Sequence, residues 1–133
     1  MNSKALKKYN LSKYRFRELY YFCQQYEEWK YELEYCKDTV KSVEVTGMPG
    51  ATKQSDQTSD LAMRRVELER KIDLVERTAK EAELELEKYI LAAVTNYGVT
   101  YTYLREFMGI PCGKNMYYEA RNRFYWLLDK KLR

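Results

Sequence analysis

The residues with the clearest chemical use lie between positions 114 and 122 of the 133-residue chain. They are polar or basic side chains that a helix would direct outward: Lys114, Asn115, Tyr118, Arg121 and Asn122. Asparagine pairs with adenine through two hydrogen bonds in the major groove of DNA, and arginine does the same with guanine. Lysine and tyrosine commonly hold phosphates. This face therefore predicts a DNA-reading helix, and the alternative is an ordinary solvated helix face.

A helix-turn-helix over residues 99–133 would present that face. Thr100 is a candidate N-cap, and apolar residues at positions 103, 104, 107 and 108 then follow at helical spacing. Gly109 favours the left-handed geometry of a helix end, and Pro111 cannot continue the helix. The second helix is expected from about Gly113, with an inner stripe of Met116, Ala120, Phe124 and Leu127.

Further basic residues are expected to hold phosphates around the reading helix. In the C-terminal part these are Arg105, Arg123, Lys130 and Lys131. Residues 1–17 form a basic N-terminal arm with six Lys or Arg and no acidic residue. Such a cluster attracts polyanions and makes binding salt-sensitive, whereas the alternative is a terminus that only improves solubility.

Two heptad patterns occupy the middle of the chain. The first predicts a long helix over residues 18–43, with a seam of Leu19, Phe22, Tyr26, Trp29, Leu33, Cys36 and Val40. Residues 44–60 have the composition of a flexible connector, in which Ser59 or Asp60 could cap the next helix. The second pattern predicts a long helix over residues 61–98, with a seam of Leu68, Ile72, Val75, Ala79, Ala82, Leu86, Tyr89 and Ala93.

A stripe only two residues in seven wide needs a partner helix. The fold class expected is therefore all-α, a long antiparallel helical hairpin followed by a C-terminal helix-turn-helix. Exchange of the same helices between two copies would satisfy the seam equally, so monomer and homodimer both stay open. A break in the second long helix near residues 81–84 is also left open.

Two stretches of the chain resemble a known group of proteins. They read TSDLAMRRVELERKIDLVERTA and YILAAVTNYGVTYTYLREFMGIPCGKNMYYEARNRFYWLL. Together they are similar to small prophage proteins of Firmicutes related to RinA- and ArpU-type phage transcriptional regulators. The resemblance implies a helical N-terminal part, a helix-turn-helix like region 4 of sigma factors, and control of phage late transcription. The sequence Glu119-Ala120-Arg121-Asn122-Arg123 departs from the basic run expected in the second helix of that group.

Composition argues against several other classes. The chain has no histidine, so the commonest general base and metal ligand are absent, and we expect neither enzymatic activity nor a cofactor. Its three cysteines show no CxxC spacing, which argues against a structural zinc site. No run of 18 apolar residues occurs and the N-terminus lacks the apolar core of a signal peptide, so we expect no membrane span and a cytoplasmic location.

The sequence thus predicts a phage regulator that binds double-stranded DNA and presents its long helices to a second copy or to RNA polymerase. The distribution of net charge agrees with DNA binding by the two ends of the chain, because residues 1–41 carry +3, residues 42–98 carry −3 and residues 99–133 carry +4. The alternative is a phage-encoded inhibitor, similar to anti-CRISPR proteins, that docks on a host or defence nucleoprotein. That inhibitor would use the helical faces, with Phe22, Tyr26 and Trp29 as partner-binding residues.

Overall fold

The computed structural model describes residues 1–35 and 59–133 in full and residues 51–58 by their backbone alone. No strand occurs in these residues, which confirms the predicted all-α class. The helices are α1 (Ser3–Lys8), α2 (Lys13–Gln24), α3 (helical over residues 26–35), α4 (Ala51–Ala82), α5 (Glu87–Thr95), α6 (Tyr101–Tyr103) and α7 (Lys114–Leu132). A 3-10 turn (Leu84–Leu86) precedes α5, and a π-helical turn (Leu104–Met108) continues α6.

The chain divides into two compact units. The terminal unit comprises Met1–Gln25 and Leu74–Arg133, and the inserted unit comprises Tyr26–Asp73. In the terminal unit, α7 packs against α2 and α5. Their contact surfaces supply much of its buried core: Leu19, Cys23, Ile90, Val94, Tyr117, Ala120, Phe124, Tyr125 and Leu128. Removal of this apolar surface from water is the main source of stability for the unit.

The inserted unit contains α3 and the N-terminal part of α4. Glu32 accepts two hydrogen bonds of 2.9 Å from the guanidinium of Arg64, and the ammonium of Lys71 lies 5.7 Å from the ring centre of Trp29. Because the order of these contacts reverses between the two helices, α3 runs antiparallel to this part of α4. The segment that would join them, residues 36–50, lies outside the described residues, as do the seam positions Cys36 and Val40.

Both long helices are interrupted where the sequence contains neither glycine nor proline. The predicted helix 18–43 is broken at Gln25, which separates α2 from α3. The predicted helix 61–98 is broken at Glu83, whose φ of −163° and ψ of 109° are extended. The second break lies in the stretch that the sequence left open. Burial continues through it, since Ala82 and Leu86 on either side are 3% and 1% exposed.

The predicted arm and connector also differ from the structure. The basic arm over residues 1–17 folds into α1 and the first turns of α2, with Asn2 and Ser12 as N-caps. Of the connector over residues 44–60, residues 44–50 lie outside the described part and residues 51–60 belong to α4. Ser59 and Asp60 therefore lie inside that helix and do not begin it. No glycine or proline occurs between positions 51 and 82, so α4 runs through this stretch without a strong helix-breaking residue.

Several local features of residues 99–133 agree with the sequence. The hydroxyl of Thr100 accepts a hydrogen bond of 3.2 Å from the amide of Tyr103, and Gly109 ends the π-helical turn with φ of 66°. Gly113 is the N-cap of α7. The inner stripe of α7 differs from the prediction at two positions, each shifted by one residue. Tyr117 and Leu128 are buried in place of Met116 and Leu127, and Met116 is 46% exposed.

Candidate nucleic-acid interface

A groove of about 400 Å³ lies between α1 and α7 in the terminal unit. From α7 it is lined by Asn115, Tyr118, Glu119 and Asn122, and from α1 and its cap by Asn2, Lys4, Ala5 and Lys8. Residues three, four and seven apart share one face of a helix, which explains how α7 brings its four residues together. Three of the predicted DNA-binding residues therefore meet here. Lys4 and Lys8 belong to the basic arm that the sequence predicted to contact phosphates, whereas Asn2 and Glu119 were not predicted as binding residues.

An aromatic contact links the end of α1 to α7. The rings of Tyr9 and Trp126 lie 6.2 Å apart between their centres, and Leu11, which follows α1, is 5% exposed. The ammonium of Lys130 lies 3.5 Å from the centre of the Trp126 ring, so this predicted phosphate-binding residue also packs on an aromatic face. Lysine side chains thus lie on both helices that form the groove.

The first turn of α7 is the most accessible part of the predicted reading face. Lys114 and Asn115 are exposed, whereas Tyr118 and Asn122 are half-buried. The side-chain oxygen of Asn122 is buried and has no hydrogen-bond partner among the described residues. An unsatisfied buried acceptor costs about 1–3 kcal/mol. A donor supplied by a ligand in the groove would remove that cost.

Arg121 does not lie in this groove, which corrects its predicted place on the outward face beside Asn122. Its side chain lines a separate pocket with Tyr20 and Tyr125, and its Nε is buried without a hydrogen-bond partner among the described residues. Its guanidinium lies 4.8 Å from the centre of the Tyr118 ring. Burial raises the pKa of Tyr125, and the nearby Arg121 cation acts in the opposite direction. The core stripe of α7 is wide, so Arg121 lies at its edge.

Two further residues that were predicted to bind phosphate instead form contacts within the protein. Arg123 donates a hydrogen bond of 2.6 Å from Nε to the carbonyl of Ala82, and its Nη2 lies 3.2 Å from Glu83 Oε2. Lys131 forms an ion pair of 2.8 Å with Glu81. The last carbonyls of a helix lack partners within the helix, so Arg123 completes the end of α4. The acidic residues near this break were the available signal for these pairings.

Arg105 remains accessible. Its side chain is 57% exposed, and its Nη2 lies 3.0 Å from Glu106 Oε1. An exposed pair of this kind contributes little to stability, so Arg105 stays available to a ligand.

Arg15 of the basic arm also has an internal partner. Its Nε donates to Asp129 Oδ1 at 2.6 Å, and Arg133 binds the other carboxylate oxygen at 3.0 Å. Burial opposes ionisation of Asp129, but these hydrogen bonds outweigh it and lower the pKa of that carboxyl. Arg15 therefore anchors α2 to α7 and is not a free surface cation.

The proposed partner-binding aromatics are largely packed within the chain. Tyr26 is 4% exposed and Trp29 is 3% exposed, while Phe22 is half-buried. Docking through Tyr26 and Trp29 would need side chains that a partner can reach. The structure therefore corrects these two from surface contacts to packing residues.

Two findings concern metal ligands and membrane-spanning helices in the described part of the chain. It holds no cluster of three or more His, Cys, Asp or Glu that could bind a metal ion. None of its helices is long and apolar enough to span a membrane. No family model, curated protein sequence or solved structure matches the chain. The resemblance to phage regulators stays a prediction.

Proposed function

We propose that this protein binds double-stranded DNA through the first turn of α7 and the adjoining groove against α1. The observation that carries the proposal is the groove itself, where amide and tyrosine side chains of α7 lie beside Lys4 and Lys8 of α1. Amide groups read base edges and lysines bind phosphates, so the groove combines both kinds of contact that DNA recognition needs.

The distribution of charge between the two units supports this proposal. The terminal unit has 16 Lys or Arg against 9 Asp or Glu, a net charge of +7. The inserted unit has 8 against 11, a net charge of −3. A polyanion would therefore be attracted to the unit that contains the groove, although the whole chain carries only +4.

In the proposed complex, the N-terminal end of α7 enters the major groove. That groove is about 12 Å wide and admits a single helix. Asn115 then contacts base edges, while Lys4, Lys8 and Lys114 bind the flanking phosphates. Tyr118 and Asn122 line the floor of the site, and Arg105 is a further phosphate contact.

Regulation of phage transcription is the biological role proposed for this binding. It rests on the sequence resemblance alone, as do contacts with RNA polymerase or with a second copy of the chain. The alternative of a protein-binding inhibitor stays a prediction, but the burial of Tyr26 and Trp29 removes two of the residues on which it was based.

The test is binding of the purified protein to a mixed pool of duplex DNA over a range of salt concentrations, followed by sequencing of the bound fraction. For Lys4→Ala/Lys8→Ala we expect weaker binding to every sequence and a salt slope smaller by about 1.8, from two lost phosphate contacts. For Asn115→Ala we expect the same salt slope but loss of preference for the enriched sequence, by about 1–3 kcal/mol.

Lys80→Ala is the matched control, because Lys80 is an exposed lysine of the same unit that does not line the groove. It should lose at most a small part of the affinity. Absence of duplex binding at low salt would contradict the proposal. If Lys80→Ala lost as much duplex affinity as Lys4→Ala or Lys8→Ala alone, the groove would not be the DNA-binding site.

A further inference from the structure

A second pocket, of about 410 Å³, lies in the terminal unit where α2, the segment after α5 and α7 meet. Its size falls within the range of about 300 to 1,000 Å³ common for small-molecule sites. Its charged side chains are Arg17 and Arg121, Met1 with its amino group also lines it, and none of its lining residues is acidic. Aromatic rings form much of the wall: Phe16, Tyr20, Tyr21 and Tyr125. This lining suits a small molecule that is both aromatic and negatively charged.

Arg121 differs from the other half-buried arginines of the unit. Arg15 and Arg123 each pair with a carboxylate, at 2.6 Å and 3.2 Å. Arg121 has no carboxylate at ion-pair distance among the described residues. Its guanidinium contacts the hydroxyl of Tyr117 and the ring of Tyr118, but its buried Nε has no hydrogen-bond partner in the described part of the chain. A guanidinium keeps its charge at all ordinary pH values. Because a partly buried charge without a counter-charge is costly, an anion bound beside Arg121 would be stabilised there.

Polar groups at the rim add to the recognition of such a molecule. Thr100 lines the pocket, and its hydroxyl accepts from the amide of Tyr103, which leaves the hydroxyl proton to donate. Asn96 donates its amide to the carbonyl of Ala92, which leaves its side-chain oxygen as an acceptor. A donor and an acceptor beside aromatic rings fit the hydroxyl groups of a sugar.

We propose that this pocket binds a nucleoside monophosphate, with the phosphate between Arg17 and Arg121 and the base against the tyrosine rings. Two guanidinium groups match a phosphate, which carries up to two charges and accepts paired hydrogen bonds. No lining residue is shared with the groove between α1 and α7. The inference therefore stands independently of DNA binding.

The experiment is isothermal titration calorimetry of the full chain with adenosine monophosphate, adenosine and inorganic phosphate in separate runs. We expect the monophosphate to bind at least tenfold more tightly than either fragment, because only it engages both the arginines and the rings. Arg17→Gln should weaken that binding about tenfold, through loss of one charge-assisted hydrogen bond. Arg121→Gln should weaken it further.

The design separates binding from folding and from general charge. Arg17 is exposed, so its substitution leaves the core intact even where Arg121→Gln fails to fold. Arg77→Gln removes an exposed arginine of the same unit that does not line the pocket and should bind as the native chain does. The proposal is overturned when millimolar monophosphate gives no heat, when adenosine binds equally well, or when Arg77→Gln weakens binding as much as Arg17→Gln.

Discussion

Replacement of Asp129 by asparagine tests the contact that joins α2 to α7. The carboxylate is 9% exposed, and its partner Arg15 is 23% exposed at 2.6 Å. A hydrogen bond to a charged group contributes about 1.5–3 kcal/mol when it is this well shielded. Arg133 is 65% exposed, so its pairing with Asp129 adds little. We therefore expect Asp129→Asn to lower the free energy of unfolding by about 2 kcal/mol at neutral pH.

The loss should depend on pH in a defined direction. The pKa of Asp129 is lowered from its ordinary value of 3.8, so the unfolded chain binds the proton more readily than the folded one does. The contribution of the Asp129 contact to stability is complete at pH values well above 3.8 and is lost as the pH falls through the lowered pKa. The native protein and Asp129→Asn should therefore become similar in stability at acidic pH.

Urea denaturation followed by far-ultraviolet circular dichroism, repeated over this pH range, measures the difference directly. Glu85→Gln is the matched control, because it makes the same chemical change at an exposed position of the same unit. It should alter stability by less than about 0.5 kcal/mol. A loss in Asp129→Asn that is equal at neutral and acidic pH would refute the ionic contact as its cause.

Two further substitutions test local features of the terminal unit. Gly109→Ala should lower the free energy of unfolding by about 1–2 kcal/mol. The φ of Gly109 is 66° and a Cβ there would meet no atom within 4 Å, so backbone strain is the whole penalty. Thermal unfolding measures the change, and an unchanged melting temperature would contradict the left-handed geometry. Arg123→Gln should destabilise the protein by about 1–2 kcal/mol, because it loses the bond to Ala82 and the pairing with Glu83, yet leave duplex affinity unchanged. A salt slope reduced by about one in that variant would instead restore Arg123 as a phosphate contact.

Features that depend on local residue type were predicted correctly from the sequence. Thr100 and Gly109 act through their own backbone geometry, so the cap and the helix end could be predicted from residue type. The second heptad seam also holds, because periodic apolar residues such as Leu68 and Val75 are buried whatever helix they face.

Features that depend on packing between distant segments could not be predicted from the sequence. The face of α7 that carries Arg121 depends on which helices cover it, and the tyrosines beside Arg121 come partly from α2. The packing of α1 beside Asn115 is likewise set by contacts such as that of Tyr9 with Trp126. The break at Gln25 has no glycine or proline to mark it, so no residue type in the sequence announces it.

The position of α7 in the chain has a consequence for synthesis on the ribosome. Its partners in the terminal unit are made long before it, since Arg15 and Asp129 are separated by 114 residues. Until α7 emerges, the apolar sides of α2 and α5 lack the helix that covers them. The inserted unit, by contrast, is one continuous stretch of sequence. Chains stopped before α7 should therefore leave the terminal unit incomplete and become substrates for chaperones and proteases, and that unit should fold only after α7 is made.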